Sequence, residues 1–327
     1  MSGALERRYR RLIRAYPARY RADRGEEIVA TYLEGAAPDQ RWPSPADVAD
    51  VLVAGGRERL GIAGATGLLP GARLAAVTAL ALCGALAVVY LPLETQRPQW
   101  WFTPTVGPFS TVGGPIWLAW LAAVLGAVLL PGRWARWPVA ASLALTAAAP
   151  AARLLDYQRP PLLVLLPQLA LGAVALALPA HRGVATRLAV AAPAALAVVG
   201  GWWASSLAGA YGAYQTLARS LLPDVAALLL LGWAVAGVAF LARRDARVLW
   251  AGVLLLPAAG LLAVAPIAQN PLLNPDGNTA VEWRRLVIAG ILVAVVSAGA
   301  FVGAFALAAL AARRPAPPAC PTCGRRT

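Results

Sequence analysis

Between residues 74 and 311 the chain repeatedly runs for about twenty residues with hardly a charge. This pattern constrains the fold more than any other feature. A helix of about twenty apolar residues matches the hydrocarbon thickness of a bilayer. Eight such segments are expected, at 74–93, 115–130, 137–155, 161–180, 188–207, 221–241, 248–268 and 286–311. The second is short and can borrow residues 112–114, and the third and fourth are joined by a tight turn, "DYQRP". The expected fold class is all-α: a polytopic α-helical membrane protein with about eight transmembrane helices and a small N-terminal cytoplasmic helical domain. The expected domains are residues 1–65, a three-helix cytoplasmic unit; 66–312, the membrane domain; and 313–327, a flexible cytoplasmic tail.

Composition agrees. Apolar residues make up 59% of the chain and charged ones 13%, with a mean hydropathy of +0.62. Soluble domains average about a quarter charged residues. A GC-rich coding sequence accounts for the abundance of Ala, Gly, Pro and Arg, but not for uncharged runs of span length.

The net charge is +14, and all twenty-nine basic residues are arginine. Seventeen of them lie beyond residue 73, scattered between the apolar runs. If the amino terminus is cytoplasmic, the inner turns and tail hold eleven of these arginines and the outer turns six. The positive-inside bias then favours an even number of spans with both termini cytoplasmic. Trp100, Trp101, Trp117, Trp120, Trp134, Trp137, Trp202 and Trp203 fall near segment ends, where an interfacial aromatic belt is expected.

The centres of the segments lack Asp, Glu, Arg and His, which catalysis and ion transfer within a membrane generally use. No phosphate-binding loop, dinucleotide fingerprint or metalloprotease helix is present. The chain is read as a non-enzymatic protein without a cofactor. A permease, or a membrane subunit of a transport complex, is the alternative, and Asp224, Tyr211 and Tyr214 are its candidate residues. Asp224 also reads as a helix-start carboxylate. His181 reads as a solvated turn residue. Pro257, Pro266 and "PAAG" leave open a broken helix. Cys320 and Cys323 have knuckle spacing, which is half of a tetrahedral metal site. A zinc shared between subunits, a redox pair and an unstructured end are the readings open to them.

The first helical stretch, "ERRYRRLIRAYPARYRADRGEEIVATYLE", carries eight arginines. At helical period Leu5, Tyr9, Leu12, Ile13 and Tyr16 share one face. Pro17 interrupts and can open a second helix through Tyr20, Ile28 and Tyr32. "SPAD" signals a third, with Ser44 as cap and Asp47 three residues on; Val48, Val51, Leu52 and Leu60 give it an apolar side. The three would close into a minimal bundle around the tyrosines. Nine of the fifteen acidic residues lie in this region, a mixed charge that argues against nucleic acid as partner.

Leu5 to Leu60 resembles the small HAAS-type domain found on bacterial membrane proteins associated with PadR-type regulators and on some permease-like proteins. "LIRAYPARYRADRGEEIVATYLE" and "SPADVADVLVAGGRERL" carry the resemblance, which extends to actinobacterial-type polytopic membrane proteins. It implies a signalling or regulatory role exercised through this domain at the bacterial inner (plasma) membrane. The positions that match are Tyr16, Pro17, Tyr20, Arg21, Gly25, Glu26, Glu27 and Asp47, the candidate docking residues. Implied partners are the lipid bilayer and a protein held through residues 1–65, with homo-oligomerisation left open.

Overall fold

The computed structural model describes residues 3–37, 40–65, 67–95, 105–205, 214, 217, 219–241, 246–270 and 283–312. It is all-helical, with no strand among the described residues. It divides into two compact units, Met1–Gly67 with Ala306–Thr327, and Leu68–Phe305.

The amino-terminal unit has three helices, α1 (Gly3–Leu12), α2 (Ala18–Glu34) and α3 (Pro45–Ala65), with a 3₁₀ turn at Ile13–Ala15. Pro17 occupies the cap position of α2, in extended conformation. Ser44 and Asp47 form the expected capping box. The Asp47 amide donates to Ser44 Oγ and the Ser44 amide to Asp47 Oδ2, each at 3.1 Å. Leu5, Tyr9, Ile13, Tyr16, Val29 and Val51 make the core. Leu52, expected on the apolar side of α3, is instead exposed. Once Val51 points inward, a neighbour one residue on is turned about 100° away.

In the second unit α4 (Leu68–Glu94) is the central mast. It packs against α5 (Gly113–Leu129), α7 (Leu162–Ala175), α8 (Val184–Ser205) and α10 (Arg247–Leu262). Small residues allow this crowding. A Cβ on Gly71 would sit 2.5 Å from Trp250 Cβ, and one on Gly84 2.6 Å from Val124 Cγ2. The remaining helices are α6 (Arg136–Ala148), flanked by 3₁₀ turns, α9 (Leu221–Leu241), α11 (Val264–Ala268) and α12 (Trp283–Ala312).

Every one of the eight expected apolar segments contains an apolar helix. Four helical stretches are long and apolar enough to cross a membrane: Leu68–Glu94, Gly132–Leu155, Leu221–Ala239 and Trp283–Leu307. The other four, Gly113–Leu129, Leu162–Ala175, Val184–Val198 and Arg247–Leu262, are shorter. The seventh segment breaks at Ala263, between α10 and α11. Pro266 explains the break: it has no N–H for the Leu262 carbonyl, and its ring would collide with that carbonyl. Pro257, by contrast, lies inside α10 without ending it. The tight turn after the third segment places Asp156 in the left-handed region, at φ 61°.

Two tryptophans expected in an interfacial belt are core residues instead. Trp117 and Trp120 are fully buried. Each indole N–H finds a buried hydroxyl, Tyr214 Oη at 2.8 Å and Thr146 Oγ1 at 3.0 Å, so burial leaves neither unpaired. Trp134 and Trp137 are exposed, as a belt requires. Trp100 and Trp101, and the side chains of Trp202 and Trp203, lie outside the described residues.

Arg182, in the turn between α7 and α8, closes a helix end. Its guanidinium donates to the carbonyls of Ala127 (3.0 Å), Leu130 (2.6 Å), Gly132 (3.2 Å) and Pro179 (2.6 Å). These include carbonyls in and just past the last turn of α5, which have no helical donor of their own. Arg182→Ala is expected to cost about 2 kcal/mol, the scale of losing charge-assisted hydrogen bonds at a half-buried site. Arg182→Lys should recover little of it, because an ammonium cannot reach four divergent acceptors. Unfolding of the purified protein in mixed detergent micelles checks both.

Candidate functional site

The membrane unit contains one carboxylate that the apolar segments did not advertise. Glu94, the last residue of α4, is completely buried. A short turn, in which Val106 and Phe109 bond to each other, lays Ser110 and Thr111 on the carboxylate. Ser110 Oγ and the Thr111 amide donate to Oε2 at 3.2 and 2.9 Å, and Thr111 Oγ1 to Oε1 at 2.8 Å. The Ser110 amide donates to the Glu94 carbonyl at 2.7 Å. Thr111 Oγ1 also accepts from the Gly113 amide at 2.9 Å, which ties the start of α5 to the same cluster.

Tyr214 completes the shell. Its hydroxyl donates to Glu94 Oε1 and accepts from Trp117 Nε1. Tyr90, one turn before Glu94 on α4, stacks on Trp117 and on Tyr214, with ring centroids 5.3 and 5.0 Å apart. The end of α4, the 106–111 turn with the start of α5 that follows it, and Tyr214 thus converge on one acid. Gly113 must be glycine here, since a Cβ would overlap Glu94 Oε1 and approach Tyr214 Oη to 2.9 Å.

Of the residues expected to serve transport, the structure places only Tyr214 in this cluster. Asp224 is exposed in the first turn of α9. Tyr211 lies outside the described residues, as do Cys320 and Cys323. Among the described residues no group of three or more His, Cys, Asp or Glu side chains could hold a metal.

The candidate docking residues divide into two sets. Tyr16 and Gly25 are buried, and Tyr16 stacks on half-buried Tyr20 at 5.3 Å. Pro17 caps α2, and its carbonyl accepts from the Arg21 amide at 3.0 Å. Asp47 is half-buried and accepts from the Tyr9 hydroxyl at 2.6 Å. These residues build the bundle. Glu26 and Glu27 are exposed on α2, where Glu26 pairs with Arg10 at 2.9 Å and keeps 80% of its side chain accessible. Both lie among other exposed residues of the bundle.

No protein-family model, curated protein or solved structure matches this chain.

The Tyr9–Asp47 link makes the bundle sensitive to pH. The Tyr9 hydroxyl, with Ser44 adding to it, holds the Asp47 carboxyl below its ordinary value. Burial, and then Asp47 itself, push Tyr9 up to about 12. A depressed carboxyl contributes stability above its unfolded value and loses it as pH falls through the folded one. A raised tyrosine contributes below its unfolded value of 10.0 and loses that contribution as pH rises toward about 12. Helicity of the bundle should therefore fall in acid below the ordinary carboxylate range and again in strong alkali. Asp47→Asn should flatten the acid limb, and circular dichroism against pH reads both.

Proposed function

We propose that this chain is a multi-pass membrane anchor that presents its amino-terminal helical bundle to a protein partner on the cytoplasmic face, in a signalling or regulatory role. The bundle supports this reading most directly. Residues 3–65 include a hydrophobic core of their own, closed by stacked tyrosines and a capping box, while α2 exposes Glu26 and Glu27 among arginines. A surface of mixed charge over a fixed scaffold suits a specific, salt-sensitive contact. The likeness to HAAS-type domains points the same way. In this reading all eight apolar helices cross the bilayer of a bacterial inner membrane and return both termini to the cytoplasm, as the arginine asymmetry favours.

The test is chemical crosslinking and purification from native membranes, comparing the full chain with one lacking residues 1–60, after equal insertion of both is established. A partner held only by the full chain supports docking through the bundle. Identical partners for both chains would transfer the interaction to the membrane helices and favour a permease or complex subunit.

A further inference from the structure

Glu94 is the only ionisable carboxylate fully buried among the described residues. Such a group within a membrane domain is costly to keep unless it is paired or used. Among the described residues no countercharge meets it. The ion pairs among the described residues are those of Arg10 with Glu6 and Glu26, in the other unit. Among the described residues the titratable and charged groups around it are few, and Asp156 and Tyr157 belong to the turn whose Gln158 carbonyl accepts from the Val112 amide. Tyr90 shares its helix and Tyr214 donates to it. Arg159 precedes Pro160, whose Cγ would come within 2.7 Å of a Cβ on Gly113. Its guanidinium is engaged at 3.1 Å by the Pro160 carbonyl, and its Nε is buried without a partner. Arg73 on α4 and Arg247 on α10 belong to the far end of the mast, where Gly71 meets the Arg247 carbonyl, and Arg187 on α8 lies five residues past the Arg182 cap.

Beside Oε1 the described residues leave little room. The space beside Oε1 that a ligand atom would need is already shared by Gly113, Pro160 and Tyr214. A proton is the ligand that requires no volume. We propose that Glu94 is a proton-binding site of the membrane domain, with Tyr214 as the partner that reads its state. When the acid is ionised, all four donors are accepted, and they favour that form. Its buried surroundings favour the neutral acid, so the two forms rest on opposing effects. On protonation the acid becomes a donor and can no longer accept at that position. Tyr214, like Thr111 at the same carboxylate oxygen, is able to reverse: its oxygen accepts one bond, from Trp117, and has a second lone pair for a bond from Glu94. Proton occupancy then sets how firmly Tyr214 is tied to α4 and to the 105–112 turn. This inference is independent of docking through the bundle.

The test is infrared difference spectroscopy on the full chain in lipid nanodiscs, from about pH 4 to about pH 9, a span that covers ordinary and strongly perturbed carboxyls. The expected result is a carboxylic C=O band that shifts in heavy water and disappears as pH rises. It should be lost in Glu94→Gln, retained in Asp156→Asn and Asp224→Asn, and moved in frequency and midpoint by Tyr214→Phe. Absence of any band assignable to Glu94, or a band of constant intensity across the range, would overturn the proposal. If Glu94→Gln does not insert, Tyr214→Phe decides alone, and an unmoved band counts against the proposal.

Discussion

Tyr9→Ala is expected to unfold the amino-terminal bundle while the membrane helices stay in place. Tyr9 is fully buried, stacks on Tyr32 at 5.4 Å and donates to Asp47. Truncating a buried aromatic side chain costs about 3–5 kcal/mol. Here it also strips Asp47 of its strongest partner. A unit of this size has a total stability of only about that magnitude. Tyr9→Phe keeps the packing and loses only the bond to a carboxylate, about 1.5–3 kcal/mol, so it should weaken the fold without abolishing it. Limited proteolysis in native membranes separates the two variants: rapid cleavage within residues 1–65 for alanine, slower cleavage for phenylalanine, and the membrane fragment intact in both. Resistance of the alanine variant would show that the bundle does not depend on the core described here.

The second large effect belongs to Glu94→Leu. Leucine retains the apolar bulk but leaves the Thr111 amide, the Tyr214 hydroxyl and the Ser110 and Thr111 hydroxyls without their common acceptor. Each buried donor left unpaired costs about 1–3 kcal/mol, and the hydroxyls can partly recover by rotating. A total loss of about 3–5 kcal/mol is expected. Freed of its ties, the 105–112 turn should become accessible. A cysteine placed at half-buried Val106 should then react with a membrane-impermeant maleimide several-fold faster in the leucine variant than in the parent. Equal rates would mean that the carboxylate does not hold the turn.

The eight apolar segments, the capping box and the tyrosine-lined core of the bundle were legible in the sequence, because each rests on short-range periodicity or on a spacing of three residues. Glu94 was not. It follows directly on an apolar run and reads as the polar residue that ends a span. Only the return of residues 105–113, and of Tyr214 from 120 positions away, turns that end into an interior. Two signals were nonetheless present. Glu94 is the only acidic residue between Glu58 and Asp156, and Tyr90 precedes it by one helical turn.

The tryptophans show the converse problem. Trp117 and Trp134 look alike as residues near segment ends, yet one is core and the other surface. What separates them is whether a distant hydroxyl meets the indole N–H, which no local pattern records. Arg182 belongs with them. Counted as a topological charge, it spends its guanidinium on backbone carbonyls, so part of the arginine asymmetry also closes helix ends.

The central claim is that the bundle docks a protein through the exposed acidic pair on α2. The most direct measurement is crosslinking of the full chain carrying Glu26→Arg and Glu27→Arg, with insertion and helicity first shown to match the parent. Both side chains are exposed, so the fold should tolerate the change, apart from loss of the surface pair with Arg10, which contributes less than about 1 kcal/mol. The account predicts that the crosslinked partner held through residues 1–60 is lost, and that a compensating charge reversal on the partner restores it. Undiminished crosslinking by the charge-reversed chain would contradict it.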